Sequence, residues 1–129
     1  MARIAFDMDG TLVGPMPDGT LALRPHVLKV LRSLKAQGHT LIIWTFGTRP
    51  WWREVRARFP VLLEYFTEVV TREEIPHTMT TGRGFPEAVK DIRLIKADVL
   101  VDNDPSHHEW AKRHGLGGRY ILVPTFGTG

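Results

Sequence analysis

The sequence predicts an α/β protein, a Rossmann-like three-layer sandwich around a central, mostly parallel sheet of about five strands. Three observations carry that expectation. Short apolar, β-branched runs alternate with amphipathic stretches about five times along the 129 residues. Three of those runs stop on a polar residue, at Asp7, Thr45 and Asp102, as strands do when their carboxyl ends form a site. No repeat, low-complexity tract or linker interrupts the alternation, so residues 1–129 read as one domain.

Each element has its own warrant. Arg3 to Asp7 reads as a short first strand. Gly10 to Leu23 holds Gly14, Pro15, Pro17 and the turn pair Asp18-Gly19, which suits a small hairpin or flap. Pro25 to Gln37 reads as a helix, with Val27, Leu31 and Leu34 on one face and Gly38 as its stop. His39 to Thr45 is a continuous apolar run and reads as a buried strand. Pro50 to Phe59 reads as a helix burying Trp52, Val55 and Phe59, and Phe66 to Thr71 as a weaker strand. Arg72 to Phe85, with Pro76, Gly82 and Gly84, reads as a long loop. Pro86 to Ile95 reads as a helix with proline at its first position. Val99 to Val101 is a strand leading into Asp102. Pro105 to His114 is a helix ended by Gly115, and Arg119 to Val123 a last strand.

Composition narrows the function classes. Hydrophobic residues make up 43% and charged residues 24%, ordinary for a globular chain. No run approaches the roughly 20 apolar residues of a membrane span, and the amino terminus shows no secretory pattern. Zero cysteines exclude a disulfide scaffold, a thiolate zinc site and a cysteine nucleophile, and fit a cytoplasmic protein. The net charge of +3 is too small to indicate nucleic-acid binding by itself. If Asp7, Asp9, Asp102 and Asp104 gather in one pocket, the remaining surface is more positive and attracts anionic substrates. Oligomeric state is not legible.

The strongest local signal is Phe6-Asp7-Met8-Asp9-Gly10-Thr11-Leu12-Val13. Two carboxylates two residues apart leave an apolar strand as it ends, and Gly10 allows a tight turn with backbone N–H groups exposed. That pattern makes a hard-cation site beside an anion nest. An ionised Asp7 can attack phosphorus once a metal screens the repulsion. Asp9, beyond the turn, can protonate the leaving oxygen and later activate water. A plain strand-capping turn needs only one of these acids.

Asp-x-Asp-Gly-Thr after an apolar strand resembles the first motif of the haloacid dehalogenase (HAD) superfamily of phosphatases. The remaining motifs of that pattern follow in order. Thr45 closes Leu41-Ile42-Ile43-Trp44, Lys90 stands in Val89-Lys90-Asp91-Ile92, and the acidic cluster is Val101-Asp102-Asn103-Asp104-Pro105. The resemblance covers essentially the whole chain and is nearest to the small C-terminal-domain phosphatase branch, although Asp104 stands where that branch has serine.

The resemblance implies Asp7 as the nucleophile forming an aspartyl phosphate and Asp9 as the general acid/base. It implies Gly10, Thr11, Thr45 and Lys90 as phosphate-binding groups, and Asp7, Asp9, Asp102 and Asn103 around Mg2+. Lys90 is preferred to Lys96 and is expected on a helix. Asp104 reads equally as a helix N-cap or as a group behind the metal ligands. His107 and His108 read as helix surface, and His26, His39, His77 and His114 as loop or helix-end groups.

Arg49, Arg53 and Arg56 fall on one helical face beside Trp51 and Trp52. They read either as a docking surface for a phosphorylated chain or as a solvated face over a core Trp52. The gaps between motifs have no room for a cap domain, so an open site is expected, which suits a macromolecular substrate or a lid supplied by a partner subunit. The substrate reads as a phosphoprotein, a nucleic-acid phosphate end or a small metabolite. The competing classes are a phosphate-binding pseudoenzyme and a receiver-like signalling module. A receiver places adjacent acids on its first strand, whereas here they alternate around Met8.

Overall fold

The computed structural model describes residues 1–74, 79–80 and 89–127. Its core is a five-stranded parallel sheet. The strands are β1 (Arg3–Phe6), β4 (Thr40–Trp44), β5 (Phe66–Val70), β8 (Val99–Asp102) and β9 (Tyr120–Leu122), in the spatial order β5-β4-β1-β8-β9. A hairpin of β2 (Val13–Pro15) and β3 (Leu21–Leu23) follows β1, and β6 (Met79–Thr80) pairs antiparallel with β7 (Val89–Lys90). Among the described residues the α-helices are α1 (Val27–Ala36), α2 (Arg49–Arg58) and α3 (Pro105–Arg113).

Side-chain alternation along the strands separates two cores. Ile4, Phe6, Leu41 and Ile43 point to the face covered by α1 and α2, through Val27, Leu31, Trp52 and Val55. Ala5, Ile42, Trp44 and Leu100 point to the other face, against Trp110 and Ala111 of α3. The result is the expected three-layer α/β sandwich. Its nine longer expected elements fall within a few residues of their predicted limits, with one exception.

The exception is the helix expected from Pro86 to Ile95. Residues 86–88 lie outside the described residues, as do most of the expected 72–85 loop and His77. Val89 and Lys90 form a strand rather than a helical turn, and only Ile92–Ile95 turns, as a 3₁₀ helix. Burial explains the difference. Val89 and Lys90 are both 1% exposed, so this stretch has no solvent face for a helix to present. Asp91 then starts the turn by accepting a hydrogen bond from Arg93 N–H.

Topology places the site. From β1 the sheet grows toward β4 on one side and β8 on the other, which opens a crevice at the carboxyl end of β1.

Candidate active site

Asp7, Asp9, Thr45, Lys90, Asp102, Asn103 and Asp104 line one cleft of about 390 Å³ at that crevice. Phe46, Gly47, Pro105, His107 and Thr125 complete its wall. Chain segments far apart in sequence meet there because β1, β4 and β8 are parallel neighbours that all end at the same edge.

Lys90 is the electrostatic centre. Its ammonium lies 3.0 Å from Asp7 Oδ1 and 2.7 Å from Asp102 Oδ2, with the lysine side chain 1% exposed. Burial pulls the ammonium down, but the charges of Asp7 and Asp102 outweigh it, and its pKa stands above the ordinary lysine value. Burial pushes the Asp7 carboxyl up to about 6, against Lys90 and with the help of Asp102. The strand carrying Lys90 is pinned from two sides. Tyr120 donates its hydroxyl to Lys90 O at 2.6 Å and accepts from Ile92 N–H, and Lys90 N–H donates to His107 Nδ1 at 3.3 Å.

Asp7 Oδ2 faces a different set. It accepts from Thr11 Oγ at 3.1 Å. One corner of the Asn103 amide stands 2.7 Å from it and 3.2 Å from the Asp9 carbonyl oxygen. With nitrogen at that corner the amide donates to both; with oxygen there, three oxygens converge as a hard cation requires. Among the described residues no three His, Cys, Asp or Glu side chains form a metal cluster, so the fit rests on this mixed set of carboxylate, amide and backbone carbonyl. Asp102 is otherwise committed, with Oδ2 on Lys90 and Oδ1 accepting from Asp104 N–H.

Gly10 and Thr11 do not line the cleft. Gly10 N–H donates to Val13 O at 2.7 Å, Thr11 N–H to Met8 O, and the Thr11 hydroxyl serves Asp7 and Asn103. Their donors close the loop internally instead of facing a phosphate. Gly10 is required there twice over: its φ is +82°, and a Cβ would stand 2.5 Å from the Asn103 amide.

Three side chains acquire places that sequence reading did not give them. His107 is 2% exposed, not on the surface, because α3 buries it with Trp110 and Ala111 at helical spacing. Burial, reinforced by the charge of Lys90, holds its pKa below the ordinary value. Trp51 donates its indole N–H to Asp9 Oδ1 at 2.9 Å, whereas Trp52 is core. Thr125, beyond the last strand, holds the outer end of the Asn103 amide at 2.9 Å. Asp104 caps α3 by accepting from Ser106 N–H. Arg49 pairs with Glu74, while Arg53 and Arg56 share its exposed face beside Trp52.

A cleft at the end of an apolar strand, with a buried lysine between two aspartates and no cap domain among the described residues, fits a HAD-type phosphatase domain. The model of the NLI interacting factor-like phosphatase family matches residues 3–118, and the chain belongs to that family. No curated protein matches it by sequence.

Solved structures share the fold. The fission yeast RNA polymerase II CTD phosphatase Fcp1, bound to beryllium fluoride, superposes with a TM-score of 0.67 at 15% identity over 97% of this chain. A β-phosphoglucomutase-like protein from Thermotoga maritima gives 0.61 at 18% identity, covering all of this chain and 88% of its own. The Pnkp1/Rnl/Hen1 RNA repair complex gives 0.58 at 19% identity over 95% of this chain. The chain spans 42% of the Fcp1 chain.

Proposed function

We propose that the domain is a Mg2+-dependent phosphomonoester phosphatase working through an aspartyl phosphate. The observation that carries this is the buried Asp7–Lys90–Asp102 arrangement, with Asp9 at the mouth of the same cleft. Asp7 Oδ1, beside Lys90, attacks phosphorus as the bond to the leaving oxygen breaks, and Asp9 gives that oxygen its proton. Water then attacks the phosphoryl group, loses a proton to Asp9, and the Asp7–phosphorus bond breaks to release phosphate. Lys90 and the Thr45 hydroxyl hold charge developing on the phosphoryl oxygens.

Asp7 Oδ2, the Asp9 carbonyl and Asn103 would hold magnesium, with Asp102 behind them. Bound there, the ion supplies charge neutralisation between carboxylate and phosphate.

The open cleft supports a phosphorylated macromolecule as substrate, a phosphoprotein before a nucleic-acid end. The whole 129-residue chain acts as one such domain, and its lack of cysteine suits the cytoplasm. Among the described residues no helix is long and apolar enough to cross a membrane.

Acid quenching during turnover of a phosphomonoester tests this reading. One phosphoryl group should appear on the protein by intact mass, should map to Asp7 and should be released by hydroxylamine. Turnover with no covalent phosphate under single-turnover conditions would refute the intermediate.

A further inference from the structure

We infer that Trp51 is a positioning residue for Asp9, fixing which carboxylate oxygen faces the cleft. The inference rests on the reading of Asp9 as general acid and base. Asp9 is exposed on a turn, where a carboxylate rotates freely unless something holds it. The Trp51 indole N–H holds Oδ1 at 2.9 Å. This group donates only and does not titrate, so it never competes for the proton Asp9 exchanges. The other oxygen, Oδ2, is left for catalysis.

Gly47 shows where Oδ2 points. A Cβ built on Gly47 would stand 2.9 Å from Trp51 Cδ1, 3.2 Å from Thr45 Oγ and 3.5 Å from Asp9 Oδ2. The indole, the phosphoryl-binding hydroxyl and the free oxygen of Asp9 therefore border one small space in the cleft wall, which only glycine leaves open. Trp51 is itself held firmly. Its backbone N–H donates to Thr48 Oγ at the start of α2, and Trp52 and Val55 anchor that helix in the core. A rigid donor on a rigid element fixes the geometry of the proton transfer.

The test compares the wild type, Trp51→Phe, Asp9→Asn and the double variant on phosphoserine and on p-nitrophenyl phosphate. Phenylalanine keeps a ring against Gly47 and removes only the donor. Alkoxide leaving groups need protonation and nitrophenolate scarcely does. Trp51→Phe should therefore lower kcat/KM about tenfold on phosphoserine and much less on the aryl ester. Adding it to Asp9→Asn should cost nothing further. Equal losses on both substrates, an undiminished loss in the Asp9→Asn background, or no loss at all would overturn the role of Trp51. A wild type that hydrolyses neither ester would instead overturn the phosphatase reading beneath it.

Discussion

Strand β1 carries an ion network at each end, and the two differ in almost everything except their chemistry. At the amino end, Arg3 pairs with Glu68 at 2.5 Å and donates its backbone N–H to Asp98, with side chains 35% and 44% exposed for the pair. At the carboxyl end, Asp7 and Asp102 share Lys90, with side chains 10%, 6% and 1% exposed. Water screens the first network, so it ties β1 to its neighbours with little net energy. The second is buried, so each charge depends on the others and is screened far less than the first. Similar ion pairs are thus exposed surface trim at one end of four residues and a buried cluster lining the cleft at the other.

The two ends should differ most at Asp7. Asp7→Asn should lower phosphate-ester turnover by about 10⁴-fold while circular dichroism stays unchanged, since the proposed nucleophile is removed without altering shape. Near-normal turnover in that variant would remove the distinction between the two ends.

Lys90→Met should destabilise the fold by about 3–5 kcal/mol in urea titration, because two buried carboxylates lose their shared counter-charge. A change below about 1 kcal/mol would show the cleft to be as well hydrated as the opposite edge.

Tyr120 gives a neutral case between these extremes. Phenylalanine there leaves Lys90 O and Ile92 N–H without their partner, and should cost about 2 kcal/mol. Burial pushes the Tyr120 phenol up to about 12. The neutral form is thus the one the fold favours. Its contribution is complete below pH 10, the usual tyrosine value, and is lost as pH rises toward about 12. Tyr120→Phe should flatten that alkaline loss of stability.

The smallest effect belongs to the exposed pair. Glu68→Gln should change stability by less than about 1 kcal/mol, and 1 M salt should erase even that. Its turnover should equal that of the wild type.

The same contrast explains what the sequence made legible. β1, β4 and β8 could be read because each joins an apolar run to a polar stop, and parallel pairing does the rest. The hairpin after Asp9 could be read from its Asp18-Gly19 turn. The strand at Lys90 could not, because its burial depends on Tyr120 and His107, distant in sequence and visible only after folding. His107 did carry a signal, its spacing to Trp110 and Ala111, but the polar ring masked it. Trp52 could be placed in the core by its spacing to Val55 and Phe59, but nothing local shows that its neighbour Trp51 reaches Asp9, 42 residues away. Thr125 had no signal at all, since it follows the last strand and meets Asn103 only through the fold of the tail.

The contrast between the two ends depends on Asp7 acting as a magnesium-assisted nucleophile. Hydrolysis of p-nitrophenyl phosphate by the wild type and Asp7→Asn, each with Mg2+ and with excess chelator, tests it most directly. Turnover is expected in one of the four conditions, wild type with Mg2+. Turnover that survives chelation or the Asp7 substitution, or that is missing from all four, would contradict it.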